Sequence, residues 1–178
     1  MASGRAAGFE ALVRWQHPKL GLLAPSKFIP LAELSDVIRP LTYYVIDHAL
    51  GQLTKWRNFG ESIFISVNLS ARNLLDDECA TTIKKLIHQH GANAKQLELE
   101  ITESVIIADP QKASKTLNDL HAMGVRISID DFGTGFSSLS HLKRLPLHAL
   151  KIDVSFVTNM LQNEQRYCYR AIDHRPGT

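Results

Sequence analysis

Gln96-Leu97-Glu98-Leu99-Glu100-Ile101-Thr102 decides how the rest of the chain is read: it is a short apolar run of strand length that carries a carboxylate, Glu100, near its carboxyl end. Four further segments share this character, residues 8–15, 62–69, 125–130 and 149–154, each rich in Ile, Val, Leu or Phe as strands covered by helices should be. Helical spacing fills the gaps between them. Residues 28–34 predict a short helix, and residues 40–59 a long one with Leu41, Val45, Ile46, Ala49 and Leu53 on one stripe. A further helix is predicted from Ser70 through Ile87 to a stop at Gly91. Another opens on an Asp109 cap with Pro110 at its first position and runs to Met123, before Gly124. Strand and helix alternate at roughly 30-residue spacing through the middle of the chain, which predicts parallel strands joined by right-handed crossovers, in an open sheet or a barrel.

The 178 residues, 44% hydrophobic and 21% charged, suit one α/β domain. A closed eight-stranded (β/α) barrel needs about 250 residues and at least roughly 200, so a barrel reading implies a partial one. Twenty basic and 18 acidic residues are interspersed to a net charge of +2, with no basic block, which argues against a nucleic-acid polymer as partner. No apolar run approaches the ~20 residues that span a bilayer, and Met-Ala-Ser-Gly-Arg does not resemble a signal peptide, so the expected location is cytoplasmic. Cys79 and Cys168 are far apart without a metal-binding spacing and read as unpaired thiols. His88 and His90 read as a solvated helix end.

The polar residues on the strands carry the chemistry. Glu10, Asn68, Glu100, Asp130, Asp131, Lys151 and Asp153 lie within or at the carboxyl ends of apolar strands. In a parallel α/β sheet those ends share one rim, where catalytic sites are built. Taken singly, each has an ordinary explanation: Glu10 paired with Arg14, Asn68 bonded to backbone, Asp130 or Asp131 capping a turn. Gathered on successive strands, five acids exceed what one lysine can neutralise, and divalent cations are the natural counter-charge. Oxygen donors without thiolates favour Mg²⁺ or Mn²⁺. Adjacent Asp130 and Asp131 suit two ions about 3.5–4 Å apart, the spacing that activates a water and neutralises a phosphate. The two glycines around Thr134, in the loop Asp131 to Ser138, permit close backbone approach.

Several motifs occur together and in order: GFEALVRW (8–15), FIPLAE (28–33), SVNLS (66–70), LELEITES (97–104), ISIDDFGTGFSSL (127–139), LKRLP (142–146) and LKIDVSFV (150–157). The sequence thereby resembles EAL domains over about residues 4–165. The resemblance implies a TIM-like (β/α) barrel, here lacking the first strand and the last two. It also implies metal-dependent hydrolysis of cyclic di-GMP to the linear dinucleotide. It makes Glu10, Asn68, Glu100 and Asp130 metal ligands, Asp131 a holder of the second metal, and Lys151 the lysine beside the attacking water, with Asp153 next to it on the substrate side. Glu10, Asp131 and Lys151 thus form the catalytic set. Leu12 and Arg14 match substrate-contacting positions. Glu103 matches the glutamate that steadies the loop Asp131 to Ser138, a region linked to homodimer contacts in related domains.

The resemblance is incomplete. The segment that precedes GFEAL in the family is not matched, nor, after Val157, is the AEGVE segment whose glutamate completes the metal site. Residues 1–165 are therefore read as a partial EAL domain and 166–178 as a tail outside the pattern. With synonymous codons chosen to fit, reading those last codons one base later gives an amphipathic peptide like the family helix, so the tail reads as a frameshift product. The expectation is weak or absent turnover and low stability for this chain alone. The alternatives are a non-catalytic module that binds cyclic di-GMP or protein, and an inert remnant.

Overall fold

The computed structural model describes residues 6–56, 63–132 and 145–154. Five parallel strands form one sheet in the order β1 (Gly8–Glu10), β4 (Phe64–Asn68), β5 (Leu97–Thr102), β6 (Arg126–Phe132) and β7 (Ala149–Ile152). Each strand pairs with the next of the set along the chain, the succession of a barrel wall. The sheet with its helices is a partial (β/α) barrel, as the resemblance implies.

Register explains the composition of the strands. Glu10 lies beside Ser66, Asn68 beside Glu100, Glu100 beside Ser128, and Ser128 beside Ala149. Because side chains alternate along a strand, residues at matched positions share a face. One face therefore collects Glu10, Ser66, Asn68, Glu98, Glu100, Thr102, Ser128 and Asp130. The opposite face collects Ile65, Val67, Leu97, Leu99, Ile101, Ile127 and Ile129, all buried in the main core.

The helices cover that apolar face. Helix α2 (Ile38–Lys55) buries Ile38, Thr42, Ile46, Ala49, Leu50 and Leu53, and α4 (Cys79–His90) buries Cys79 and Ile83. Helix α6 (Pro110–Ala122) buries Ala113, Thr116, Leu117 and Leu120. Its start matches expectation: Pro110 occupies the first turn and the Asp109 carboxylate accepts from the Lys112 amide at 3.1 Å. The predicted stripe on α2 divides between two roles. Ile46, Ala49 and Leu53 enter the core, whereas Leu41 and Val45 line a cleft described below.

Three sequence expectations are corrected. Residues 8–15 are not one strand: β1 ends at Glu10, and Trp15 opens an antiparallel hairpin of β2 (Trp15–His17) and β3 (Gly21–Leu23). His17 Nδ1 accepts from the amides of Lys19 and Leu20, and Gly21 closes the turn at φ 73°. The helix expected from Ser70 to Gly91 is two, α3 (Ala71–Leu74) and α4. The break falls at Asp76-Asp77-Glu78, where Asp76 Oδ1 accepts from the Glu78 amide at 3.1 Å and restarts the chain for the next helix, a local bond that competes with helix continuation. His90 is not simply solvated: its Nε2 lies 2.7 Å from Asp47 Oδ1, tying α4 to α2.

Of two short helices, one matches expectation and one is additional. Helix α1 (Ile29–Glu33) sits within the expected 28–34 segment, while α5 (Glu103–Ala108) follows directly on β5 and was not anticipated. Among the described residues no helix is long and apolar enough to cross a membrane, and Cys79 is a buried free thiol. Cys168, residues 166–178 and the loop beyond Phe132 lie outside the described residues.

Candidate active site

The carboxyl ends of β1, β4, β5, β6 and β7 bring the predicted polar residues to one rim. Asn68 Nδ2 donates to Glu10 Oε1 at 3.1 Å, joining the ends of β1 and β4. Glu100, level with Asn68 on the next strand, is 1% exposed. Its Oε1 accepts from Lys151 Nζ of β7, and its Oε2 is buried with no hydrogen-bond partner among the described residues. A carboxylate oxygen withdrawn from water and left unanswered costs on the order of 1–3 kcal/mol or more.

Lys151 responds to this setting. Burial pulls its ammonium pKa down, but the hydrogen bond to Glu100 and the charges of Glu100, Asp130 and Glu10 outweigh burial and leave it above the ordinary lysine value. Three carboxylates therefore converge electrostatically on one ammonium.

Asp131 is set apart by its backbone. Between Ile129 and Phe132 the β6 chain takes three steps while β7 takes two, Leu150 to Ile152, so one residue is extra. Asp131 has φ 52°, a left-handed conformation that Asp tolerates better than most residues. Burial, then the negative charges of Asp130 and Asp153, raise its carboxyl pKa, and a hydrogen bond with Asp153 adds to the rise. The bulge thus brings three acids, Asp130, Asp131 and Asp153, into mutual influence at one point of the rim.

The remaining predicted residues are placed as follows. Leu12 is half exposed and lines a cleft of about 680 Å³ beside the rim, together with Asn68 and Glu100. Arg14 does not line it; its Nη1 donates to the Val13 carbonyl at 2.9 Å, and the suggested pairing with Glu10 is not formed. Glu103 is buried at the start of α5. Its expected partner loop, through Ser138, lies outside the described residues beyond Phe132. Two residues unmarked by the sequence reading, Arg72 and Ser104, also line the cleft.

The donor set fits a hard divalent cation. Glu100 Oε2 has no partner among the described residues, Glu10 and Asn68 supply further oxygens at the ends of the neighbouring strands, and none of these donors is sulfur. Among the described residues no three acidic, histidine or cysteine side chains already enclose an ion-sized point. The Lys151 ammonium holds one of the Glu100 oxygens instead.

Comparison with known proteins decides the family. The profile of the family described as "EAL domain" matches residues 1–172. The chain belongs to the EAL domain family. A cyclic di-GMP phosphodiesterase of Pseudomonas aeruginosa, PA2567, is 38% identical over 160 residues, which are 90% of this chain and 27% of that protein. The cyclic di-GMP phosphodiesterase PdeR of Escherichia coli is 39% identical over 157 residues, 88% of this chain and 24% of the relative. This EAL chain therefore spans about a quarter of the length of these two curated relatives. Among solved structures, the PaMucR phosphodiesterase in complex with c-di-GMP superimposes with a TM-score of 0.82 at 40% identity, over 88% of this chain and 64% of that one.

Proposed function

We propose that this EAL chain binds cyclic di-GMP in the 680 Å³ cleft and, with Mg²⁺ or Mn²⁺, opens one of its phosphodiesters to the linear dinucleotide with weak turnover at most. One observation carries the reading: a fully buried carboxylate, Glu100, with one oxygen unanswered among the described residues, stands where the cleft meets the strand ends. The cleft volume is that of small-ligand sites, which run from about 300 to 1,000 Å³. The named activities of relatives near 40% identity support the substrate.

Glu10, Asn68, Glu100, Asp130 and Asp131 are the residues that would hold the metal. Bound there, divalent ions lower the pKa of water and offset charge on phosphoryl oxygens. The chain's own residues do the rest. Lys151 is an ammonium held charged by three carboxylates, suited to orient the attacking water or to meet negative charge developing on the phosphate. Asp131 and Asp153, sharing a hydrogen bond at the same rim, form an acid pair from which a proton can be taken or returned. Leu12 offers an apolar surface to the ligand. Arg14 reaches substrate in this reading only by leaving the Val13 carbonyl. Glu103 steadies the loop Asp131 to Ser138, around which two copies meet, and the location is cytoplasmic.

The test is incubation of purified chain with cyclic di-GMP and Mg²⁺ or Mn²⁺, read by chromatography of the products, beside Glu10→Ala. Metal-dependent linear dinucleotide that disappears in the variant supports hydrolysis. Binding without product supports a non-catalytic module, a reading favoured by the Lys151 ammonium already seated on Glu100. Absence of binding with metal present removes both. Sedimentation and cell fractionation test the dimer and the location.

A further inference from the structure

Arg72 is the one basic side chain among the described residues that line the cleft. The other charged lining residues are Glu33 on the helical wall and Glu100 at the strand end. A cyclic dinucleotide carries two phosphodiester charges. If one phosphate is attacked at the acidic rim, the second lies elsewhere in the same cleft and meets, without Arg72, no cationic side chain among the described lining residues, only apolar, neutral polar or negative ones.

Arg72 follows Asn68 by four residues, on the short α3 that leaves the same strand end, so the site's scaffold positions it directly. Its guanidinium is loosely engaged. Nη1 contacts Asp36 Oδ1 at 3.1 Å, and the Arg72 and Asp36 side chains are 42% and 88% exposed. A pair so open to water contributes little. Nor is it needed to hold the turn before α2 against α3. Asn73 Nδ2 donates to the Arg39 carbonyl at 3.2 Å, and Arg39 pairs with Asp76 at 3.3 Å. Arg72 can leave Asp36 while both other ties remain.

Resting on the cyclic di-GMP reading above, the geometry points to Arg72 as the anchor for the ligand's second, unreacted phosphate, with Asp36 as the group that holds the guanidinium when the cleft is empty. Arginine suits this task because its planar fork matches phosphate oxygens two at a time. Binding is then an exchange of one ion pair for another, and Asp36 competes with the ligand.

The competition makes the idea testable. Cyclic di-GMP affinity is measured by calorimetry in excess EDTA, where metal-assisted hydrolysis stops, for the full chain, Arg72→Ala, Arg72→Lys and Asp36→Asn. Arg72→Ala is expected to weaken binding on the order of ten- to a hundredfold, the range for hydrogen bonds to charged groups, and to flatten the salt dependence. Arg72→Lys, which keeps stem and charge, should fall between the two and guards against a folding artefact. Asp36→Asn should tighten binding a few-fold. Equal affinity in Arg72→Ala overturns the assignment. So does parallel weakening in Arg72→Ala and Asp36→Asn, which would make the pair a mere strap across the cleft wall. If the unmodified chain binds no cyclic di-GMP even with Mg²⁺ restored, the functional reading fails and this assignment with it.

Discussion

Replacing Lys151 by Met isolates the electrostatic idea on which the site depends. The Glu100 side chain has no exposed surface and offers Oε1 to the lysine, while Oε2 has no partner among the described residues. In the metal-free chain Lys151→Met leaves a buried carboxylate with neither oxygen answered. Removing one partner of a buried ion pair typically costs about 3–5 kcal/mol. The Lys151 side chain is 38% exposed, so water screens part of the interaction and the lower end applies, about 3 kcal/mol. For a chain of this size that lowers the melting temperature by roughly 6–12 °C.

The assay is thermal and urea unfolding in EDTA, repeated with excess Mg²⁺ or Mn²⁺. Two results should accompany the loss. The double variant Lys151→Met, Glu100→Gln should recover most of it, because the uncompensated charge is gone. Added metal should also recover much of it in the single variant, because a cation takes the ammonium's place. A single variant within about 0.5 kcal/mol of the unmodified chain, the scatter of ordinary surface changes, would refute the reasoning. Equal loss in the double variant would show that packing of the lysine stem, and not charge, accounts for the effect.

Leu99, fully buried at the centre of β5, gives a contrasting case: Leu99→Ala should destabilise by about 2–5 kcal/mol in urea unfolding, with no recovery on adding metal. Burial, with Asp76 nearby, pushes the Cys79 thiol up to about 12, so mass-spectrometric mapping at pH 8 should find Cys79 unalkylated in the folded chain and modified only after unfolding. His148 Nδ1 accepts from the Ile127 amide at 3.2 Å, and burial, then His121 and Arg126, lower its pKa against an opposing pull from Glu98. Its neutral form therefore contributes stability that is complete above the ordinary histidine value of 6.5 and is lost as pH falls through the depressed value. Urea midpoints measured downward from pH 7 should fall, and His148→Asn, which keeps an acceptor that does not titrate there, should flatten the slope.

The alternation of strands and helices was legible because it rests on local patterns. Apolar runs, the Asp109-Pro110 start and the glycine stops at Gly91 and Gly124 each act within a few residues. The division at Asp76 was also local, but an Asx bond competes with helix in a stretch whose periodicity otherwise continues, and periodicity alone favours one helix. The hairpin beginning at the end of the 8–15 run was not legible because its turn depends on Gly21 backbone conformation and His17 side-chain bonds. At the site, the clustering of Glu10, Asn68, Glu100 and Lys151 followed from parallel topology. The roles of Arg72 and His90 did not, since their partners Asp36 and Asp47 lie 36 and 43 residues away.

The two chemically opposite faces of β5 have a consequence for how the chain assembles. Sliding β5 by a single residue against β4 or β6 would thrust Leu99 and Ile101 among the acids and press Glu98 and Glu100 beneath the helices, where nothing cationic awaits them. Mispaired intermediates are thereby penalised on both sides of the sheet at once. The same glutamate that prepares the site for chemistry also proofreads the alignment of the wall it stands on.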